Sequence, residues 1–206
     1  QVLQRRNVDG VILFGFTGLE EPLLRPWQAN MVTLAREYAG LSSVCYDDAG
    51  AVRLLMDALT RAGHPQIGYI GVTPEDATTG LRRQQAYLDY CAENGIAPQM
   101  AIGELSYQSG FQLAPRVLRP GMQALVCASD TIALGAAKYL QQHALPAVRV
   151  GGIGNNPLLR FLFPATLTIE MGYGTAGLRA AEQLLNQLQC PQQGICRLTV
   201  PCHLAT

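Results

Sequence analysis

Residues 42–71 read SSVCYDDAGAVRLLMDALTRAGHPQIGYIG. The run at 43–46 is short, apolar and strand-like. Ala51, Leu54, Leu55, Ala58, Leu59 and Ala62 then fall on one face of a helix over 49–62, and Gly63 supplies its left-handed stop. A second apolar run follows at 67–71. Strand, helix and strand at this spacing form a βαβ unit and predict a mostly parallel sheet.

The same alternation extends outward in both directions. Further strands are expected at 11–14, 31–35, 100–102, 124–128, 148–153, 166–169 and 196–200. Further helices are expected at about 79–94, ending at Gly95, at 130–143 and at about 173–188. The runs near 67 and 124 are continuously apolar, as in strands covered by helices on both sheet faces. The fold class is therefore α/β. There is no tandem repeat, low-complexity segment or Ser/Gly linker, and composition marks no boundary between two α/β lobes.

A chain of 206 residues is one domain or two small ones. Apolar residues make up 49% and charged residues 15%, so it folds around a sizeable core. Fifteen Lys and Arg balance fifteen Asp and Glu, which leaves no electrostatic footprint for nucleic acid or an anionic membrane over these residues. No apolar stretch is long enough for a membrane span. Of the six cysteines, Cys45 and Cys127 sit in strand-like runs and Cys91 on a helical stripe, with no C-x-x-C pair. Most of the cysteines read as small buried hydrophobes in a reducing, cytoplasmic compartment rather than as metal-binding or redox-active thiols, with Cys190, Cys196 and Cys202 set apart from that reading. The first residue is Gln and no signal-peptide pattern follows. Residues 1–7 read as the end of a helix, so an upstream segment is expected.

Candidate chemistry clusters at strand ends. Gly10, Gly15 and Gly18 surround one, and Gly151, Gly152 and Gly154 another. Neither set is a dinucleotide or phosphate-loop fingerprint, but strand carboxyl ends are where α/β sheets place ligands. Arg83 shares a helix face with Ala86, Tyr87, Tyr90 and Cys91, so it points inward: toward a ligand, into a structural ion pair, or snorkelling beside Arg82. Upstream, Asp76-Ala77-Thr78-Thr79 offers Thr78 or Thr79 as an N-cap, with free backbone N–H groups suited to an anion or a sugar hydroxyl. Asp130, in Ser129-Asp130-Thr131, either caps the next helix or offers a carboxylate to sugar hydroxyls. Asn155 and Asn156 hold the equivalent position after the following strand. Tyr173 opens the last helix on the face of Gly177, Ala180 and Leu184, to stack on a sugar or to join the core. There is no G-x-S-x-G or H-E-x-x-H signature, and His64, His143 and His203 lack carboxylate neighbours at helical spacing. No catalytic residue, metal site or cofactor is expected.

Four blocks, in order, resemble one family. They are the opening stretch 42–71, TTGLRRQQAYLDYCAENGI, ALVCASDTIALGAAKYLQQ, and GGIGNNP followed by FLFPATLTIEMGYGTAGLRAAEQLL. Together they resemble the lactose-repressor-type (LacI/GalR) transcriptional regulators over nearly the whole chain. Narrower segments, RRNVDGVILFGFTG, VCYDD, DATTGLRR, CASDTIALGA and GNNPL, resemble the family's trehalose-responsive members. Most of the family has Asp-Asp at Asn155-Asn156.

The resemblance implies a two-lobed fold like the type I periplasmic sugar-binding proteins, with the first lobe incomplete. Residues 1–46 with 171–190 would form the N-terminal lobe, and 47–170 with 191–206 the C-terminal lobe. The DNA-binding helix-turn-helix would lie upstream. The resemblance further implies trehalose 6-phosphate or trehalose as ligand in the cleft between lobes, operator DNA as partner and a homodimer. The ligand positions it carries over are Gly15, Asp76, Ala77, Thr78, Thr79, Arg83, Thr131 and Tyr173. Asp130 and Asn155 join them by position in the chain. Part of the phosphate site would lie upstream. Ligand would shift the lobes, and with them two DNA-reading heads, provided it binds the two states differently. The rival readings are a periplasmic-type sugar-binding protein and an α/β enzyme acting on phosphorylated sugars.

Overall fold

A computed structural model describes residues 8–15, 21–190, 192 and 194–205. Gly18 and the helix end expected over 1–7 lie outside the described residues. In chain order the elements are β1 (Val11–Phe14), a 3-10 stretch (Glu21–Asn30), β2 (Met31–Leu34), β3 (Ser42–Tyr46), α1 (Asp48–Arg61) and β4 (Ile67–Val72). A π-helical turn (Ala77–Arg82) leads into α2 (Arg83–Glu93), followed by β5 (Met100–Gly103), α3 (Tyr107–Val117), β6 (Ala124–Cys127) and α4 (Asp130–Gln142). Then come β7 (Arg149–Ile153), α5 (Pro157–Leu162), β8 (Leu167–Glu170), α6 (Tyr173–Gln189), β9 (Arg197–Val200) and β10 (His203–Leu204). The expected strands and four expected helices are present. The 3-10 stretch, the π turn, α3, α5 and β10 were not expected.

The chain forms two compact units. The first comprises Gln1–Tyr46 and Gly172–Pro201, the second Asp47–Met171 and Cys202–Thr206. The second unit, expected to resume at residue 191, therefore resumes only at Cys202. The cause is β9, which pairs in parallel with β3 from Ser43↔Arg197 to Tyr46↔Val200 and so belongs to the first unit.

In the first unit the strands run β1-β2-β3-β9, all parallel. Its core gathers Leu24, Met31, Tyr38 and Leu41, with Val11, Leu13 and Trp27 packed against them. α6 lies on β2 and β3. Its buried stripe is Ala176, Ala180, Gln183 and Gln187, rather than Gly177, Ala180 and Leu184. The glutamines are buried because Gln187 Nε2 donates to the carbonyls of Ala29 and Met31, and Gln183 donates to Gln187. An amide with partners can occupy an apolar interface.

In the second unit the order is β10-β8-β7-β6-β4-β5, parallel except for β10. Every residue of β4 and β6 is buried, as continuous apolar strands require. α1 begins on Asp47, whose Oδ1 accepts the Gly50 N–H at 2.8 Å, and ends where Gly63 takes φ +87°. Among the described residues, no helix is long and apolar enough to cross a membrane.

Candidate functional site

The sheet of the second unit winds in two directions from β4. β5 lies on one side, and β6, β7 and β8 on the other. At such a switch point the connections leave on opposite faces and open a crevice at the strand carboxyl ends. The segments there follow β4 (73–83), β6 (128–131) and β7 (154–156).

Arg83 stands at the centre of this face. The expected stripe is correct: Arg83, Ala86, Tyr87, Tyr90 and Cys91 are the buried residues of α2. Arg83 is only 4% exposed. Its Nε and Nη2 both donate to Asp48 Oδ1 at 2.7 Å, and Nη1 donates to the Ala128 carbonyl at 2.6 Å. Of the three readings open in the sequence, the buried ion pair is therefore present. One guanidinium ties the start of α1, the start of α2 and the end of β6 together. Asp48 Oδ2 and the Tyr69 hydroxyl are buried and without a hydrogen-bond partner among the described residues. Burial pushes the Tyr69 phenol well above its ordinary range, and the Arg83 charge partly opposes that rise.

Asp48 was not a sequence candidate, although a signal for it exists. It precedes Ala51 and Val52 by three and four positions, the phase that marked Arg83. Of two adjacent acids at a helix start, Asp47 caps and Asp48 turns inward.

The Asp76–Thr79 segment departs from expectation. The cap is Asp76, not Thr78 or Thr79. Its Oδ1 accepts the Thr78 and Thr79 N–H groups and the Thr78 hydroxyl, all at 2.9 Å. The N–H groups expected to be free for an anion are thus engaged. The turn is π-helical, and Gly80 lies directly against the Thr73 carbonyl, where any side chain would collide. Asp76, Ala77, Thr78 and Thr79 remain half-buried on the strand-end face.

Asp130 is likewise not the cap. Ser129 Oγ accepts the Ile132 N–H, and Asp130 is the first residue of α4. It is 3% exposed, and its carboxylate accepts the Thr168 hydroxyl at 2.8 Å and the Asn156 N–H at 2.6 Å. Burial raises its pKa above the usual carboxylate value, while those two hydrogen bonds pull it back. Asn155 Nδ2 donates to Glu170 Oε2 at 2.8 Å, and Arg160 donates to Asn155 Oδ1 at 3.2 Å. Asn155 donates to Glu170 and accepts from Arg160 at once, which an ionised aspartate, having no proton to donate, could not do. Asn156 Oδ1 caps α5 through the Leu158 N–H. Thr131, half-buried, follows Asp130 on α4.

Gly15 and Tyr173 belong to the first unit. Gly15 follows β1 and donates its N–H to the Leu34 carbonyl. A Cβ there would collide with Arg36 Cβ, so packing alone demands glycine. Tyr173 is 45% exposed, which removes the core reading. Its ring meets Tyr46 edge-on at 5.0 Å.

Cys45, Cys91 and Cys127 are buried free thiols, as read from the sequence, and burial raises the pKa of Cys91 and Cys127. Cys202 is pushed up to about 11, and Cys190 is exposed. The buried-hydrophobe reading therefore holds at Cys45, Cys91 and Cys127, and the three cysteines set apart from it are not fully buried. Among the described residues, no three His, Cys, Asp or Glu side chains gather as a metal site.

Comparison with known proteins fits this geometry. A model of the periplasmic binding protein-like domain matches residues 56–206. The HTH-type transcriptional regulator TreR of Salmonella typhimurium is 45% identical over 99% of this chain and 64% of its own length. The regulator of the same name from Escherichia coli is 46% identical over 91% of this chain and 59% of its length. The chain thus spans about three-fifths of these relatives. The solved structure of the trehalose repressor from Escherichia coli superposes with a TM-score of 0.94, at 44% identity, over 99% of this chain and 80% of that one. The chain belongs to the periplasmic binding protein-like domain family.

Proposed function

We propose that the chain is the sugar-sensing core of a cytoplasmic repressor of trehalose metabolism, with trehalose 6-phosphate as inducer. The observation that carries this reading is 44% identity to the Escherichia coli trehalose repressor across 99% of the chain. The strand-end face supports it. Arg83 is fixed in place and Asp76–Thr79 are partly open, an arrangement suited to binding hydroxyls through charge-assisted hydrogen bonds rather than to turnover. Thr131 and Asn155 belong to the same proposed site, as do Gly15 and Tyr173 of the first unit. Operator DNA would be read by a helix-turn-helix upstream, and ligand would act by binding the DNA-competent and released states with different affinity.

Calorimetric titration of the intact protein, upstream segment included, tests the ligand. Trehalose 6-phosphate is expected to saturate one site and to bind more tightly than trehalose, with no product formed. Arg83→Ala is expected to abolish the signal. Binding of neither sugar removes the trehalose reading, and product formation removes the regulator.

The proposal includes a homodimer. α3, α4 and α5 leave a groove of about 730 Å³ lined by Tyr107, Phe111, Leu134, Leu158, Leu162 and Phe163. Phe161 beside it is 83% exposed. Apolar surface of this kind marks an interaction site, and a second copy is the occupant consistent with the LacI-type resemblance. Phe161→Glu is expected to convert the dimer to monomer in sedimentation velocity while the circular dichroism spectrum of the folded chain stays unchanged. A dimer that persists unchanged would place the contact elsewhere.

A further inference from the structure

We propose that Thr168 is a positioning residue of the sugar site, acting through Asn155. This rests on the preceding reading that the strand-end face of the second unit takes a sugar. Thr168 lies in β8 and is buried. Its Oγ1 accepts the Asn155 N–H at 3.0 Å and stands 2.8 Å from both carboxylate oxygens of Asp130. A hydroxyl carries one proton, and a carboxylate only accepts. The relay therefore has one direction, from Asn155 N–H to the Thr168 hydroxyl to Asp130. Asp130 Oδ2 also accepts the next amide, Asn156 N–H, at 2.6 Å.

Two successive backbone N–H groups are thus drawn inward onto one buried acid. That holds the loop in an uncommon shape. Gly154 has φ +136° and Asn155 φ +51°, and the latter lies in the left-handed region that asparagine tolerates better than most residues. From there the Asn155 side chain gives one amide hydrogen to Glu170 and accepts one bond from Arg160. An amide has two hydrogens and two carbonyl lone pairs. One of each is left beyond these two bonds, the pair that a single sugar hydroxyl engages by donating and accepting at once. Thr168 touches no ligand in this account. It fixes where Asn155 stands.

The test uses the intact protein with trehalose 6-phosphate as titrant. Thr168→Val keeps the branched shape and removes the relay. It is expected to weaken binding about tenfold, because a partly buried N–H loses the acceptor that fixes Asn155. Thr168→Ser restores most of the affinity. Thr168→Ala, where a water can replace the hydroxyl, falls between them and serves if the valine variant does not fold. In an Asn155→Ala background, Thr168→Val should cost nothing further, since the two act as one unit. A merely structural threonine would instead give additive losses. Unchanged affinity in Thr168→Val, or full additivity with Asn155→Ala, overturns the inference and leaves the proposed function standing. If the wild-type protein binds neither trehalose 6-phosphate nor trehalose, the proposed function fails and the inference fails with it, an outcome distinct from normal wild-type binding with unchanged affinity in Thr168→Val.

Discussion

Asp48→Ala is expected to destabilise the second unit by about 3–5 kcal/mol, the cost of breaking a buried ion pair by removing one partner. Arg83 would keep its bond to the Ala128 carbonyl and lose both bonds to Asp48 Oδ1. Its charge would then be buried without compensation, because the residue is 4% exposed and α2 holds it in place. Urea unfolding of the intact protein measures the loss. Replacing both partners with apolar residues, Asp48→Leu with Arg83→Met, should recover most of the stability, since two matched charges repay little more than their own desolvation. The double variant should nevertheless bind no trehalose 6-phosphate. Stability without binding would show that the pair is kept for the ligand. A loss below about 1 kcal/mol in Asp48→Ala would place the pair in a wetter, weaker setting than its burial implies.

This pair also shows where the sequence could be read and where it could not. Helical phase alone marked Arg83 as inward-facing. It could not name the partner, which lies 35 residues away on another helix. The parallel sheet was legible because each strand is a short apolar run between amphipathic helices. α3 was hidden by Gly110 and Pro115, which lower the apparent helix propensity of a stripe at Gly110, Leu113, Ala114 and Val117. The unit to which β9 belongs depends on pairing with β3, a contact more than 150 residues away in sequence that no local pattern encodes. At the site, side chains that compete for backbone N–H groups misled in a consistent way. Thr78, Thr79 and Asp130 all look like caps, and in each case a neighbour, Asp76 or Ser129, takes that role. Thr168 carried no local signal, because its side-chain partners, Asn155 and Asp130, lie on two other segments.

Gly135→Ala is expected to destabilise the protein by about 1–3 kcal/mol, although alanine is the better helix former by roughly 1 kcal/mol. The reason is the crossing of α3 and α4. A Cβ at Gly135 would fall on the Tyr107 carbonyl oxygen and 2.7 Å from the Phe111 nitrogen. From the other helix, a Cβ at Gly110 would fall on the Ile132 carbonyl, 2.9 Å from its carbon. All these neighbours are backbone, so no rotamer change relieves the overlap and the two helices must separate. Gly177 in α6 provides the contrast, since nothing lies within 4 Å of its Cβ position. Gly177→Ala should therefore stabilise by about 0.5–1 kcal/mol. Thermal unfolding reads both, at roughly 2–4 °C per kcal/mol for a chain of this size. The same chemical change should thus move Tm down at Gly135 and up at Gly177. If both variants gain stability, α3 and α4 do not meet through their glycines, and the apolar groove they border loses its floor.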